Sequence, residues 1–133
     1  MADMVSAKRR SEIMARIGRR GNLTTEKRMV TFLRSLGLMG WRRHYRIRGT
    51  PDFVFVRRRI CIFVDGDFWH GNPRVARLPK TNRPYWKAKI SRTIARDRAV
   101  TRYLRREGWA VLRFWESDLQ DAERVTAKLL AYL

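Results

Sequence analysis

Asp97 stands where a helix would present apolar residues. It follows Trp86, Ile90 and Ile94 and precedes Thr101 and Leu104 at steps of three or four residues, the spacing of one helical face. A carboxylate on a core face needs a partner, because leaving it buried and unpaired costs several kcal/mol. An arginine, a metal ion or a ring nitrogen would each serve. His70, one of only two histidines, stands in a polar loop and offers the ring nitrogen. A neutral imidazole there takes a proton from a water attacking phosphorus, and an adjacent Asp97 fixes its tautomer and stabilises the imidazolium. His44 lies in a basic stretch and reads as a phosphate or solvent contact.

Asp52 opens an extended run directly after Pro51, and the next run ends at Asp65-Gly66-Asp67. Paired as neighbouring strands, these runs deliver their acids to one edge of a sheet. Hard oxygen ligands so placed suit Mg²⁺, which takes a few carboxylates, keeps waters and bridges to phosphate. Asp65 and Asp67 have a second reading as turn formers, since Asp-Gly is a common turn pair. Glu26 falls in the first turn of a helix, where an acid complements the helix dipole. Phe68-Trp69 places two rings in an otherwise polar loop; such pairs tuck into a core or form a wedge that enters a base step.

These groups need elements to hold them. A short basic helix is expected over Lys8 to Ile17, ending at Gly18. A second is capped by Asn22 or Thr24, carries Met29, Leu33 and Leu36 on one face, and is closed by Gly37. His44 to Arg48, a turn at Gly49-Thr50-Pro51, and the β-rich runs Asp52 to Val56 and Ile60 to Val64 follow. The run Ile60-Cys61-Ile62-Phe63-Val64 is apolar at every position, as suits a central strand covered on both faces. Asp65 to Pro84 reads as a long polar loop. A helix from about Tyr85 to Glu107, a strand from Trp109 to Trp115, and a last helix from about Asp118 to Leu130, with Val125 and Leu129 inward, complete the order α-α-β-β-β-α-β-α. The fold class is α/β, one sheet between helices.

The chain has 133 residues, a formal net charge of +19 and 44% apolar residues. That is one domain, residues 1–133, with enough apolar material for a core and too much for a disordered basic tail. No stretch suits a membrane span, and the first ten residues lack the apolar segment of a secretory signal. A cytoplasmic protein is expected. Cys61 alone cannot build a disulfide framework or a Cys-rich zinc site. Of the 31 cations, 25 are Arg, whose planar fork suits phosphate oxygens, so a polyanion, nucleic acid, is the natural partner. Residues 1 to about 20 read as a basic DNA-contacting arm. Charge does not separate an enzyme from a non-catalytic binder.

The ordered strings Pro51-Asp52-Phe53-Val54, Phe63-Val64-Asp65-Gly66-Asp67-Phe68-Trp69-His70, Pro79-Lys80-Thr81-Asn82, Tyr85-Trp86-Lys87-Ala88-Lys89-Ile90, Arg96-Asp97-Arg98 and Gly108-Trp109-Ala110-Val111-Leu112-Arg113-Phe114-Trp115-Glu116 resemble the very-short-patch repair (Vsr) mismatch endonucleases. The resemblance runs from about Arg10 to Leu119. It implies a restriction-endonuclease-like fold, a central mixed sheet flanked by helices, and Mg²⁺-dependent nicking of one strand at T:G mismatches. Homing endonucleases share the catalytic core and give the alternative activity. Carried over, the resemblance makes Asp52 the principal metal ligand with the main-chain carbonyl of Val64, His70 the general base oriented by Asp97, and Glu26 a further acid of the site. Met14, Phe68 and Trp69 match residues that wedge into DNA beside the mismatch. The family's structural zinc ligands are replaced here by Asp67, Asn72 to Arg74, and Ser117, so no structural zinc is expected. Hydrogen bonds among Asp67, Asn72 and Ser117 would tie the loop to the last strand instead. An asymmetric mismatch needs one active site, so a monomer is expected.

Overall fold

In the computed structural model, residues 25–74 and 78–133 are described. The expected helix over Lys8 to Ile17, the basic arm, Met14 and the caps Asn22 and Thr24 lie outside them. A helix through residues 25–35 (α1) is followed by strands Trp41–Arg43 (β1), Phe53–Phe55 (β2) and Ile60–Asp65 (β3). The long helix Arg83–Arg106 (α2), strand Ala110–Trp115 (β4), a 3-10 turn Glu116–Gln120 and helix Ala122–Tyr132 (α3) complete the chain. The sheet runs in the order β1-β2-β3-β4, with β1, β2 and β3 antiparallel in turn and β3 parallel to β4. It is a mixed sheet in an α/β fold, as expected.

The period of two along the strands explains the layers. Ile60, Ile62 and Val64 of β3, with Phe53 and Phe55 of β2 and Leu112 and Phe114 of β4, pack against Met29 and Leu33 of α1 and Val125 and Leu129 of α3. The intervening Val54, Cys61, Phe63 and Val111 face Val100 and Leu104 of α2. All six residues of β3 are buried, so its unbroken apolar run marks the strand covered on both faces. Full burial of a Leu or Ile side chain in these layers contributes roughly 2 kcal/mol against exposure.

One element lies elsewhere than expected. The first strand is Trp41–Arg43, not His44 to Arg48: His44 adopts φ 53°, which ends the extended run, and Trp41 sits edge-on to Phe53 at 5.5 Å between ring centroids. Arg42 and Arg43 are exposed on this edge strand, so no alternation in the sequence announces it; a contact across the sheet places it. The last helix is also divided, with the 3-10 turn first and α3 starting at Ala122, where the Asp121 carboxylate accepts from the Arg124 N–H, as an N-cap should.

Candidate active site

The strand register assembles the site. β2 runs against β3 with Phe53 opposite Ile62, so the start of β2 lies beside the end of β3. Asp52 shares its face with Val54, and Asp65 shares its face with Phe63; both point to the α2 side. Val64 donates its N–H to Asp52 Oδ2 at 2.7 Å, which fixes the carboxylate beside the end of β3. The Gly49-Thr50-Pro51 turn comes close to α2: Gly49 has φ 86°, and a Cβ there would collide with Val100. That contact seats the turn and so places Asp52.

His70 arrives from the loop after β3. Its Nδ1 is 2.5 Å from Asp97 Oδ2 and 3.7 Å from Asp65 Oδ1. The expected Asp97 partner is therefore the histidine ring. The arginine goes to Asp65: Arg113 of β4 donates from Nη1 to both oxygens, at 3.0 and 2.9 Å. Arg113 also donates to Thr101 Oγ1 at 2.9 Å and to the Asp97 carbonyl at 3.4 Å, and its guanidinium lies 4.1 Å from the Phe63 ring centroid. One cation thus braces both β3 and α2. Burial pulls the His70 pKa down, but the hydrogen bond to Asp97 and the charges of Asp65 and Asp97 outweigh it, so the ring holds its proton above the ordinary histidine value. Burial pushes the Asp65 carboxyl up, and Arg113 and His70 only partly restore it.

The loop that presents His70 is fastened by its own polar residues. The Asp67 carboxylate, 9% exposed, accepts from Asn72 Nδ2 at 2.7 Å and from Ser117 Oγ at 2.9 Å. Asp67 N–H donates to Glu116 Oε1 at 3.0 Å, and Asn72 Oδ1 accepts from the Arg74 N–H at 3.1 Å. Asn72 is 1% exposed. This is the expected tie between the loop and the end of the last strand, with Glu116 added to it. Gly71, at φ 66°, lets the loop lie flat on α2, since a Cβ there would come within 2.7 Å of Ile90 and 2.8 Å of Ile94. Asp67 therefore belongs to the loop and Asp65 to the site, two roles that the shared Asp-Gly-Asp string does not separate.

Glu26, Asp52, Val64, Asp65, His70 and Asp97 line one cavity of about 550 Å³, with Arg113 in its wall. Glu26 also pairs with Arg43. Burial, then the neighbouring charges of Glu26 and Asp65, push Asp52 up to about 6 against the lowering effect of the Val64 N–H. Asp65, His70 and Asp97 place ligand atoms within 4.8 Å of one another, a group able to hold a metal ion. Two of these carboxylates are already engaged: both oxygens of Asp65 by Arg113, and Asp97 by His70. Asp52 is crowded by acids and has no basic group among the charges that act on it. The donor set therefore fits a hard cation, and Asp52 is the carboxylate with most to gain from one.

Phe68 and Trp69 are half-buried. They form an edge-to-face cluster with Trp86 near the start of α2, at centroid distances of 5.6 and 5.7 Å, and Lys89 Nζ lies 5.0 Å from the Trp69 centroid. Neither ring is sunk in the main core; both form a partly open aromatic ledge beside the His70 loop. Arg113 is the residue of the site that sequence reading missed. Its signal was present: one cation inside Val111-Leu112-Arg113-Phe114, on a strand otherwise written for burial.

Comparisons with known proteins place relatives beside this chain. The family model described as DNA mismatch endonuclease Vsr matches residues 2–74. The chain is 39% identical over 131 residues to the type II nicking enzyme V.XorIIP of Xanthomonas oryzae pv. oryzae, covering 97% of this chain and 95% of that protein. It is 34% identical over 131 residues to the DNA mismatch endonuclease Vsr of Escherichia coli strain K12, covering 98% and 83%. It is also 49% identical over 88 residues to the type II nicking enzyme V.NmeDIP of Neisseria meningitidis serogroup C, covering 64% and 59%.

Proposed function

The chain belongs to the DNA mismatch endonuclease Vsr family, and from that premise we propose that it nicks one strand of double-stranded DNA at T:G mismatches with Mg²⁺ as cofactor. The observation that carries this reading is the placement of Asp52 and the His70–Asp97 pair in the wall of one cavity. An ionised carboxylate only accepts hydrogen bonds, so Asp97 requires the proton on His70 Nδ1. In the neutral ring, Nε2 is then left to accept a proton from the attacking water. As the proton arrives, Asp97 stabilises the imidazolium, and Arg113, which binds both Asp65 oxygens, leaves Asp97 as the hydrogen-bond partner of the ring.

Asp52 and the Val64 carbonyl would hold Mg²⁺, with Glu26 as a further acid of the site. Bound there, Mg²⁺ supplies charge stabilisation at the phosphate oxygens. The net charge of +19 draws the duplex in by counterion release. Phe68 and Trp69, on their ledge beside the loop, are placed to enter a base step, with Met14 as a third wedge residue from outside the described segments. We infer that the protein acts in the bacterial cytoplasm as a monomer, without the structural zinc of the family. Among the described residues no helix is long and apolar enough to cross a membrane.

A strand-resolved nicking assay with Mg²⁺ tests the reading, comparing T:G duplexes in varied flanking contexts with the same duplexes fully paired, alongside His70→Ala. Nicking confined to the mismatched duplexes and lost in the variant is expected. Equal cutting of paired DNA would move the chain to a homing-type or other endonuclease on the same core. Binding without cutting, unaffected by Asp52→Ala and His70→Ala, would leave a DNA-binding protein.

A further inference from the structure

A second cavity, of about 620 Å³, lies on the other side of the wall formed by Asp65, His70, Asp97 and Arg113. Ile94 and Trp115 are among the apolar residues that line it, and Arg98, Arg102 and Arg105 line it from α2. These three arginines follow one stripe of α2 at steps of four and three residues, so they project side by side. Their backbone anchors span roughly 10 Å at 1.5 Å per residue. Each is exposed, and none takes part in an ion pair with another described residue. Like charges at this spacing repel one another unless an outside anion lies among them.

We propose that this cavity is a phosphate subsite: Arg98, Arg102 and Arg105 hold backbone phosphates of the cut strand immediately beside the scissile one. The inference rests on the nuclease reading, because it is the His70–Asp97 wall that sets the distance from the reacting phosphate. A nucleic-acid strand suits this stripe better than a lone carboxylate would, since a row of arginine forks matches a row of phosphates. The apolar lining beside the arginines leaves room for a sugar or base edge. A strand lying in both cavities passes over His70, which would hold the scissile phosphate in register with the base without any sequence-specific contact.

The test measures binding to a T:G duplex with EDTA present, so that nothing is cut, across a range of salt concentrations. Arg102→Ala is expected to weaken binding roughly tenfold and to lower the salt slope by about one. Arg57→Ala, in the turn at the far end of the sheet, is the control and should leave the slope near that of the wild type. Single methylphosphonate linkages, which are neutral, are then placed at each position around the nick. At one or two positions beside it the wild type should lose affinity roughly tenfold, while Arg102→Ala should lose almost nothing more, the non-additivity of a direct contact. Arg102→Gln, which keeps the helix and removes only the charge, repeats the experiment if the alanine variant folds poorly. Additive losses, or a slope change no larger than that of Arg57→Ala, overturn the subsite and leave the nuclease reading standing. A wild-type protein that binds no mismatched duplex overturns both.

Discussion

His70 Nδ1 lies 2.5 Å from Asp97 Oδ2, although 27 residues separate the two. The loop after β3 and the middle of α2 are thereby joined at a ring that can exchange a proton near neutral pH.

That pairing sets a pH dependence. Asp97 and Asp65 raise the His70 pKa despite its burial, so the catalytically competent neutral ring is lost at a higher pH than for an ordinary histidine. Nicking should fall as pH drops through a value above about 6.5. Asp97→Asn removes the largest raising cause, so the acid limb should move to lower pH while the maximal rate drops by roughly 10²-fold or more. A pH-rate profile of both proteins checks this; an unmoved limb would separate Asp97 from the base.

Asp52 gives a test that does not use catalysis. Its folded-state pKa, about 6, exceeds that of an unfolded carboxylate. Its contribution to stability is therefore present below about pH 4 and is lost as pH rises through about 6, at a cost on the order of 2–3 kcal/mol after allowance for partial exposure. Mg²⁺ should raise the melting temperature at pH 7.5 and have little effect at pH 4.5, where protons compete for the site. Asp52→Asn should melt higher than the wild type in EDTA at pH 7.5 and gain nothing from Mg²⁺. An equal Mg²⁺ response in the variant would place the cation elsewhere, on Asp65, His70 and Asp97.

The Asp67, Asn72 and Ser117 network makes a separate prediction. Asn72→Ala leaves the Asp67 carboxylate short of a donor in a site that is 9% exposed, and should cost roughly 1–3 kcal/mol of stability. It should also lower kcat more than it raises KM, because the loop carries His70 but not the bulk of the DNA-binding charge. Ser117→Ala should act in the same direction but less. Metal analysis of the purified protein should find no stoichiometric zinc, since these oxygen and amide groups are poor zinc ligands beside thiolate and imidazole.

Phe68→Ala and Trp69→Ala should distinguish a wedge from a prop. If the rings enter the base step, both variants keep the fold, lose mismatch nicking by tenfold or more, and lose the DNA bend seen by energy transfer across the duplex. A drop in melting temperature with bending intact would assign them to packing against Trp86.

Much of this was legible in the residues themselves. β3 could be placed because the unbroken apolar run Ile60 to Val64 leaves no room for polar alternation, and α2 because a helical face is written from Trp86 to Leu104. The acids that matter were conspicuous in a chain carrying 31 cations and 12 anions, and Asp97 was marked by its place on an otherwise apolar stripe. Local periodicity carries this information because each strand or helix must present its own apolar face. Other features are decided only when the elements meet. Trp41 forms an edge strand through its contact with Phe53, Arg113 takes Asp65 and so leaves Asp97 to His70, and Asp67 turns away from the site to Asn72 and Ser117. These are choices between partners far apart in the chain. They depend on strand register, and on which buried charge can be neutralised by which neighbour, neither of which a single segment contains.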